Sequence, residues 1–265
     1  MDCVLIGTEV RYMSEISGIS QSNMYSYISS GKRINSAADD AAGLTIANKM
    51  NSQETGLNVG SDNAKDGNSL IGVADGALAQ IGDSLQRIYE LGMKASNGLN
   101  TGEELGAIQK EVDQLLTDIE DVAKGTEFNT LKILDGSMAD LELATKPDGT
   151  GQKIQMVSST LSDLGIEGFD VTKGFDLTKI TDAIQKVSES RSSLGAQSNA
   201  LDAAIRYNDY AAENTLSSRS RIEDLDMAKA ISEQKKQETL NQYQIMMQKK
   251  REEEEQRRAM GIMNF

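Results

Sequence analysis

The sequence predicts a mainly α fold: an elongated antiparallel helical bundle or coiled coil with a small β-hairpin region and paired N- and C-terminal helices. Apolar residues recur at steps of three and four over three long segments, whereas one short segment near the middle alternates with a period of two. Aromatic residues make up only 4% of the chain, so large apolar side chains are scarce, and proline occurs only once. This composition suits helices with narrow cores better than a deep globular core.

The first long helix is predicted over about residues 41–96, where apolar residues follow a seven-residue repeat. One seam of this repeat is Met50, Leu57, Ala64, Ile71, Leu78 and Leu85, and the second is Ile46, Gln53, Gly60, Gly67, Ala74, Ile81 and Ile88. The glycines of the second seam predict a close approach by a neighbouring helix, at some cost in helix propensity. At about 1.5 Å per residue, the repeat between Met50 and Gly92 spans about 60–70 Å, which predicts a rod.

Two further helices are predicted, over about 103–124 and 177–218. A turn at residues 96–98 precedes the second helix, the carboxylates of Glu103 and Glu104 favour its positive N-terminal end, and Gly125 follows as a stop. The apolar stripe of this second helix is Leu105, Ile108, Val112, Leu115, Ile119 and Val122. The stripe of the third helix is Ile180, Ile184, Val187, Leu194, Leu201, Ile205 and Ala212, interrupted by Arg191, Ser198 and Asn208. Polar residues on such a seam favour one register.

A β-rich segment is predicted over about residues 130–175. Residues 141–143 and 153–157 alternate between apolar and polar side chains, and the sequence Pro-Asp-Gly-Thr-Gly lies between them. Proline presets φ and glycine accepts a positive φ, so this pattern predicts a β-hairpin. Residues 166–171 are expected to add a short strand, and residues 128–131 to form a linking segment.

Charge and composition argue against several functions. The formal net charge of −14 opposes binding to nucleic acids and anionic membranes, and no apolar run approaches the roughly 20 residues needed to cross a bilayer. Cys3 has no partner for an internal disulfide, and residues 4–6 are too short for the core of a signal peptide. The chain has no histidine, which removes the commonest general base and metal ligand. Paired carboxylates leave a hydrolase as the remaining enzymatic alternative, although Asp39-Asp40 and Glu103-Glu104 fit helix N-termini better.

Two motifs resemble the terminal signatures of bacterial flagellins. SSGKRINSAADDAAGLTIANKM at residues 29–50 is similar to the N-terminal signature, and SRSRIEDLDMA at 218–228 to its C-terminal counterpart. The similarity continues through GLNVGSDNAKDGNSLIGVADGALAQIGDSLQRIYELGMKASNG, EFNTLKIL and LGAQSNALDAAI, and it covers roughly residues 20–240. The signature residues are Arg33, Ile34, Asn35, Asp39, Asp40, Arg219, Arg221, Ile222, Glu223 and Asp224.

The resemblance implies a short flagellin without the variable outer domains. Residues 1–40 would provide the N-terminal helix and linker of a terminal inner domain, residues 41–218 a rod domain, and residues 219–265 the C-terminal linker and helix of the inner domain. The implied function is a structural subunit of the flagellar filament, exported unfolded by the flagellar type III route without a cleaved signal peptide and polymerised outside the cell for motility. Neither catalysis nor a cofactor is expected.

The resemblance also implies partners. The chain would bind itself and other flagellins, a flagellar export chaperone and the filament cap, but no nucleic acid or membrane. The candidate face for polymerisation and for the chaperone is Ile231, Leu240, Tyr243 and Met247 on the C-terminal helix. The segment QRIYEL resembles the motif by which vertebrate Toll-like receptor 5 detects flagellins. The candidate receptor surface is Gln86, Arg87, Glu90, Leu91 and Glu111, the alternative being that Arg87 is simply solvated and Leu91 packs inside the bundle.

The two ends of the chain depart from the flagellin pattern. Residues 1–13 lack the polar opening common in the family, and residues 249–258, KKREEEEQRR, replace small and amide side chains. Within this run, Glu253 with Arg257 and Glu254 with Arg258 are expected to form favourable four-apart pairs, each contributing about 0.2–0.5 kcal/mol. These departures keep two alternatives open: a hook–filament junction protein, and a secreted flagellin-like ligand of innate immune receptors that does not polymerise.

Overall fold

The computed structural model describes residues 24–138 and 140–262, with the side chains of 259–262 excepted. The chain divides into two compact units: unit 1 comprises Met1–Asn51 and Thr215–Phe265, and unit 2 comprises Ser52–Asn214. The predicted mainly α fold with a small hairpin region is confirmed. In chain order the described elements are helical residues 24–30 (α1), α2 Ala41–Ala95, α3 Gly102–Gly125, β1 Glu127–Phe128, β2 Leu131–Lys132, β3 Asp140–Ala144, β4 Gly151–Gln155, α4 Leu161–Leu164, α5 Leu177–Glu223 and α6 Met227–Ile262.

The core of unit 2 forms where α2, α3 and α5 pack together. The predicted seams of α2 are buried from Leu57 onward, and Leu78, Ile81, Leu85 and Ile88 are fully buried. Val112 and Ile119 of α3 and Ile180 and Leu201 of α5 complete the same cluster. Because these apolar residues recur at heptad spacing, each helix presents one continuous stripe to its neighbours.

The part of α2 that belongs to unit 1 does not bury the predicted seam. Ile46, placed on the second seam by the sequence pattern, is 46% exposed, whereas Ala47 beside it is buried. The prediction for Ile46 was therefore wrong. A heptad pattern identifies the helix, but the packing neighbours decide which of two adjacent apolar residues turns inward.

Local sequence explains the start of α3. Thr101 is the N-cap: its hydroxyl accepts a hydrogen bond from the backbone N–H of Glu104, and the Glu104 carboxylate accepts one from the Thr101 backbone N–H. This capping box satisfies two backbone donors that a helix end otherwise leaves free. Glu103 and Glu104 lie in the first turn, as predicted, and α3 ends at Gly125.

The hairpin predicted around Pro-Asp-Gly is confirmed. β3 and β4 are antiparallel, with Leu141 opposite Ile154, and the turn contains Gly149 at φ 81°. A second hairpin, β1–β2, lies where only a linking segment was expected. Its turn residues Asn129 and Thr130 both have positive φ, which is the two-residue geometry that matches the twist of short strands.

The strand expected at residues 166–171 is not formed. Gly165 and Gly168 adopt φ values of 80° and 68°, and these left-handed residues interrupt an extended run at both points. Ile166, Phe169 and Val171 are nevertheless buried, so the segment packs as an irregular loop. Its apolar alternation reflects burial and does not reflect strand pairing.

The two glycines of the second α2 seam, Gly60 and Gly67, pack against the β3–β4 hairpin. A Cβ added to Gly60 would lie 2.5 Å from the carbonyl oxygen of Thr145, and one added to Gly67 would lie 2.3 Å from the Leu143 side chain and 3.1 Å from that of Leu201 on α5. The predicted close approach is therefore real, but its partner at Gly60 is hairpin backbone. Any side chain at Gly60 would push the hairpin away from α2.

Candidate functional site

The two signature segments meet in unit 1, at a site we call the junction, formed by residues 31–33 and 219–225. Helix α1 ends where Gly31 adopts φ 67°, and an antiparallel β-bridge then joins Lys32 to Asp224. The Arg33 N–H donates to the Glu223 carbonyl (2.6 Å) and the Leu225 N–H donates to the Gly31 carbonyl (2.9 Å). Two backbone hydrogen bonds therefore flank the bridge.

Charged side chains reinforce the junction. The Glu223 carboxylate, whose side chain is 13% exposed, pairs with Lys32 from the N-terminal part of the chain and with Arg219 one helical turn earlier. The Arg33 guanidinium donates to the Ile222 carbonyl (2.5 Å), one of the last carbonyls of α5. A cation at the C-terminal end of a helix is favourable because the free carbonyls there carry negative charge. Of the remaining signature residues, Ile34 is buried and Arg221 is exposed.

The α5 helix extends further than the sequence suggested. Residues 219–223, expected in a linker, belong to its last turn, and the break before α6 is confined to residues 224–226. The Ser220 hydroxyl donates to the Asp224 carboxylate. The charged sequence of this segment resembles a linker but is also a good helix former.

Asp39 organises the turn that precedes α2. Its carboxylate accepts hydrogen bonds from the Tyr27 hydroxyl (2.5 Å) and from the backbone N–H groups of Asn35 and Ser36 (3.0 and 2.8 Å). These donors, with Tyr27 contributing most, lower the pKa of Asp39 to about 2, and the same bond raises the pKa of Tyr27. Asp40 accepts a hydrogen bond from the Gly43 N–H (2.8 Å), so the acidic pair does stand at a helix N-terminus.

The candidate receptor residues lie in unit 2, where Arg87 of α2 contacts Glu111 of α3. Its Nε and one terminal nitrogen donate to the same Glu111 oxygen (2.9 and 2.7 Å), and the other terminal nitrogen donates to Glu90 (3.1 Å). We call these three residues the Arg87 cluster. Hydrogen bonding to Glu111 and then to Glu90 raises the pKa of Arg87. The guanidinium is therefore held at a fixed place on the surface, although all three side chains remain about half exposed or more.

Leu91 does not belong to this surface. Its residue is 4% exposed and forms part of the unit 2 core, whereas Gln86 is exposed beside the Arg87 cluster. The placement of Leu91 on the surface was wrong, because Leu91 continues the buried side of α2 that both seams form. Sequence spacing shows that Arg87 and Leu91 share a helical side but not how far that side turns inward.

The apolar residues of α6 are mostly exposed. Ile231, Leu240, Tyr243 and Met247 are exposed by 39%, 46%, 61% and 37%, and Ile245 and Met246 beside them are also exposed. Ala230 is buried, and the Tyr25 hydroxyl of α1 donates to Glu238 (3.0 Å). Among the described residues, α1 and α6 are thus paired near the start of α6, and the large apolar side chains further along face outward.

The charged run at 249–258 is helical and exposed throughout. The expected four-apart pairs, Glu253 with Arg257 and Glu254 with Arg258, do not close to within 4.0 Å. That prediction was wrong, because long exposed side chains lose conformational freedom when they pair and gain little Coulomb energy in water. Cys3 and the departures at residues 1–13 lie outside the described residues.

A metal-binding cluster and a membrane-spanning helix are both absent from the described residues. They contain no group of three or more His, Cys, Asp or Glu side chains arranged to hold a metal ion. None of the helices in the described part of the chain has the length and apolar character needed to cross a bilayer.

Comparison with known proteins agrees with this geometry. The family profile described as the bacterial flagellin N-terminal helical region matches residues 12–139, and the one described as the C-terminal helical region matches residues 177–257. A flagellin of Halalkalibacterium halodurans is 39% identical over 223 residues, which cover 81% of this chain and 82% of that protein. The chain belongs to the flagellin family.

Other relatives extend the comparison for this flagellin-family chain. A flagellin of Bacillus subtilis is 36% identical, over 87% of this chain and 88% of its own length. The flagellar filament 31.3 kDa core protein of Treponema maltophilum is 33% identical, over 81% and 82%. These relationships make the chain a structural subunit of the bacterial flagellar filament. Flagellins are a structural family with no known enzymatic activity.

Solved structures support the same fold. The crystal structure of Bacillus cereus flagellin superposes with a TM-score of 0.50 at 28% identity, covering 56% of this chain and 88% of that one. A putative flagellar hook-associated protein from Vibrio parahaemolyticus gives a TM-score of 0.61 over 70% of this chain and all of that one. Because the two sequences are only 12% identical, this structural similarity is evidence of a shared fold and of nothing more.

Proposed function

We propose that this filament subunit polymerises through the exposed apolar side chains of α6, which are Ile231, Leu240, Tyr243 and Met247. The observation that carries the proposal is that these side chains are exposed, while the apolar stripes of unit 2 are buried. Leu240, Tyr243 and Met247 lie within about 60° of one another around the helix, whereas Ile231 lies on the opposite side. Large apolar side chains exposed on one helix mark a contact surface, because leaving them in water costs free energy that a partner recovers.

A pair of substitutions tests this face without shortening the chain. Leu240→Ser/Tyr243→Ser should raise the concentration needed for polymerisation, measured by sedimentation and electron microscopy. Gln237→Ser/Gln244→Ser, on exposed positions of the same helix, is the control and should polymerise like the unaltered chain. Equal polymerisation of both variants would remove the face from the contact, and persistent monomer of the unaltered chain at high concentration would count against filament formation itself.

Deletion of residues 241–265 addresses the two alternatives. A filament subunit should lose filament formation on deletion. A thin ring or short stack formed by the unaltered chain would favour the hook–filament junction protein. An unaltered chain that stays monomeric but activates receptors would favour the secreted ligand.

Further partners follow from the family resemblance. We assign residues 1–40 and 219–265 to an inner domain and residues 41–218 to a rod domain. We also propose that the chain is exported unfolded through the flagellar type III route and that its function involves no catalytic step. An export chaperone would cover the α6 face before assembly, and the filament cap would receive the subunit at the tip. Loss of chaperone binding in Leu240→Ser/Tyr243→Ser, measured by calorimetry, would link these two roles to one surface.

The Arg87 cluster, with Gln86, is proposed as the surface that vertebrate Toll-like receptor 5 recognises. Its support is geometric: Glu111 and Glu90 hold the Arg87 guanidinium in one orientation on the outside of unit 2. Arg87→Ala should weaken receptor signalling in reporter cells, whereas Lys110→Ala, an exposed neighbour on α3, should leave it unchanged. Equal signalling by Arg87→Ala and the unaltered chain would remove the cluster from the receptor surface.

A further inference from the structure

Helix α6 carries two charged segments that have no partner among the described residues. The first contains Glu233, Lys235 and Lys236, all exposed, and the second is the run at 249–258. Because successive residues of a helix are about 100° apart, the four glutamates at 252–255 encircle α6 and form an acidic band. Three basic residues precede this band and two follow it. A neighbouring helix on any side of α6 would therefore meet the acidic band.

The acidic band cannot meet Lys235 and Lys236 within one chain. Glu253 and Glu254 follow these lysines by about 18 positions on the same helix, which is about 27 Å of axial distance. A helix is straight on this scale, and a side-chain ion pair requires about 4 Å or less. The two segments can therefore pair only between copies of the chain.

A parallel copy displaced along the axis by that distance matches the charges of both segments. Glu253 and Glu254 then lie level with Lys235 and Lys236, and Arg251 lies level with Glu233. No like charges are level at this displacement. With zero displacement, by contrast, each band faces the same band of its neighbour, and like charges repel.

A displacement of about four residues is the competing arrangement. It also sets the acidic band against basic residues of the run at 249–258, but Lys235 and Lys236 then face neutral residues. It further places Ile245, Met246 and Met247 level with Lys249, Lys250 and Arg251. Only the larger displacement gives the first charged segment a partner.

We propose that the acidic band of one copy pairs with Lys235 and Lys236 of a parallel neighbouring copy, so that charge sets the axial offset between adjacent α6 helices at about 27 Å. The pairing is head-to-tail, because the band and the lysines lie at different heights. Such a contact leaves both copies with an unused end, so it propagates into an open polymer instead of closing as a dimer. The inference rests on the proposed polymerisation through α6 and adds the rule that aligns the copies.

The test uses the full chain and two variants of opposite charge change. Lys235→Glu/Lys236→Glu and Glu253→Lys/Glu254→Lys should each raise the concentration needed for polymerisation about tenfold in low salt, because each replaces attraction by repulsion at two exposed pairs of every contact. The variant combining all four substitutions keeps the original net charge and should polymerise like the unaltered chain. Lys110→Glu/Lys146→Glu is the charge-matched control in unit 2 and should behave normally.

Mixing separates pairing between copies from pairing within a helix. An equimolar mixture of the two double variants should polymerise, because each variant offers the charge that the other lacks, whereas neither forms new pairs within its own helix. Normal polymerisation of Lys235→Glu/Lys236→Glu alone would overturn the proposal and favour the four-residue displacement. A mixture that stays as defective as its components would also overturn it. Failure of the unaltered chain to polymerise in any salt would refute filament formation, and this pairing with it.

Discussion

Unit 2 and unit 1 bury their apolar side chains to very different extents in the described residues. Unit 2 contains a continuous core in which Leu78, Ile81 and Leu85 are inaccessible to solvent. In unit 1 the buried apolar residues of the described part are Ile34, Ala47 and Ala230, while the large side chains of α6 are exposed. Unit 2 therefore draws its stability from its own core, whereas the described part of unit 1 leaves most of its large apolar side chains in contact with solvent.

The largest effect should come from deleting core volume in unit 2. Leu85→Ala should lower the free energy of unfolding of the monomer by about 2–5 kcal/mol, because it removes fully buried methyl groups and leaves a cavity. Urea unfolding followed by circular dichroism measures it. Leu240→Ala in unit 1 is the matched comparison and should change monomer stability by no more than about 0.5 kcal/mol. Similar losses in both variants would erase the contrast between the units.

The next effect concerns the contact between α2 and the hairpin. Gly60→Ala should destabilise unit 2 by about 1–3 kcal/mol, because its Cβ would overlap the Thr145 carbonyl, which is backbone and cannot rotate away. Gly72→Ala on the same helix has open space around it and should stabilise by about 0.5–1 kcal/mol through helix propensity. Thermal unfolding of the two variants should move in opposite directions; a shared direction would show that the hairpin yields.

A buried hydrogen bond gives a smaller effect. The Asn208 amide, 2% exposed, donates to the carbonyl of buried Thr145 (2.8 Å), and Asn208→Ala should cost about 1–2 kcal/mol because that carbonyl loses its donor. Asn63 donates to the neighbouring Ala144 carbonyl (2.8 Å) nearer to solvent. Asn63→Ala should therefore cost less than Asn208→Ala in urea unfolding. An equal cost would indicate that water reaches both carbonyls.

The smallest effect concerns the turn that Asp39 organises before α2. Asp39 has a folded pKa of about 2, below the value of about 3.9 for a free carboxyl. A lowered folded pKa means that ionised Asp39 stabilises the turn above about pH 4, and that this contribution disappears as the pH falls from about 4 to about 2. Carboxyl carbon NMR should report the low pKa, and Tyr27→Phe should raise it. An ordinary pKa for Asp39 would show that the turn is open in the monomer.

Much of the helical framework could be predicted from the sequence because heptad stripes indicate which side of a helix packs against its neighbours. The β3–β4 hairpin was also predictable, since proline and glycine restrict the backbone at its turn. The irregular loop after α4 was missed because the left-handed conformations of Gly165 and Gly168 are not written in an apolar alternation. The Arg87 cluster depends on the register between α2 and α3, which the turn at residues 96–101 sets. Spacing along one helix cannot identify a neighbour on another helix, so only the family resemblance could name Glu111 as a neighbour of Arg87.

The β-bridge between Lys32 and Asp224 also has a consequence for the order of events in time. Unit 2 is a contiguous stretch of chain, but unit 1 needs residues from both ends. Whichever end emerges first from a ribosome or a channel, the bridge cannot close until nearly the whole chain has followed, whereas the segment that forms unit 2 is already complete. Closing such a long loop costs less when the intervening segment is compact. The junction therefore becomes available only after the whole segment of unit 2, so a chain can fold unit 2 before the bridge closes.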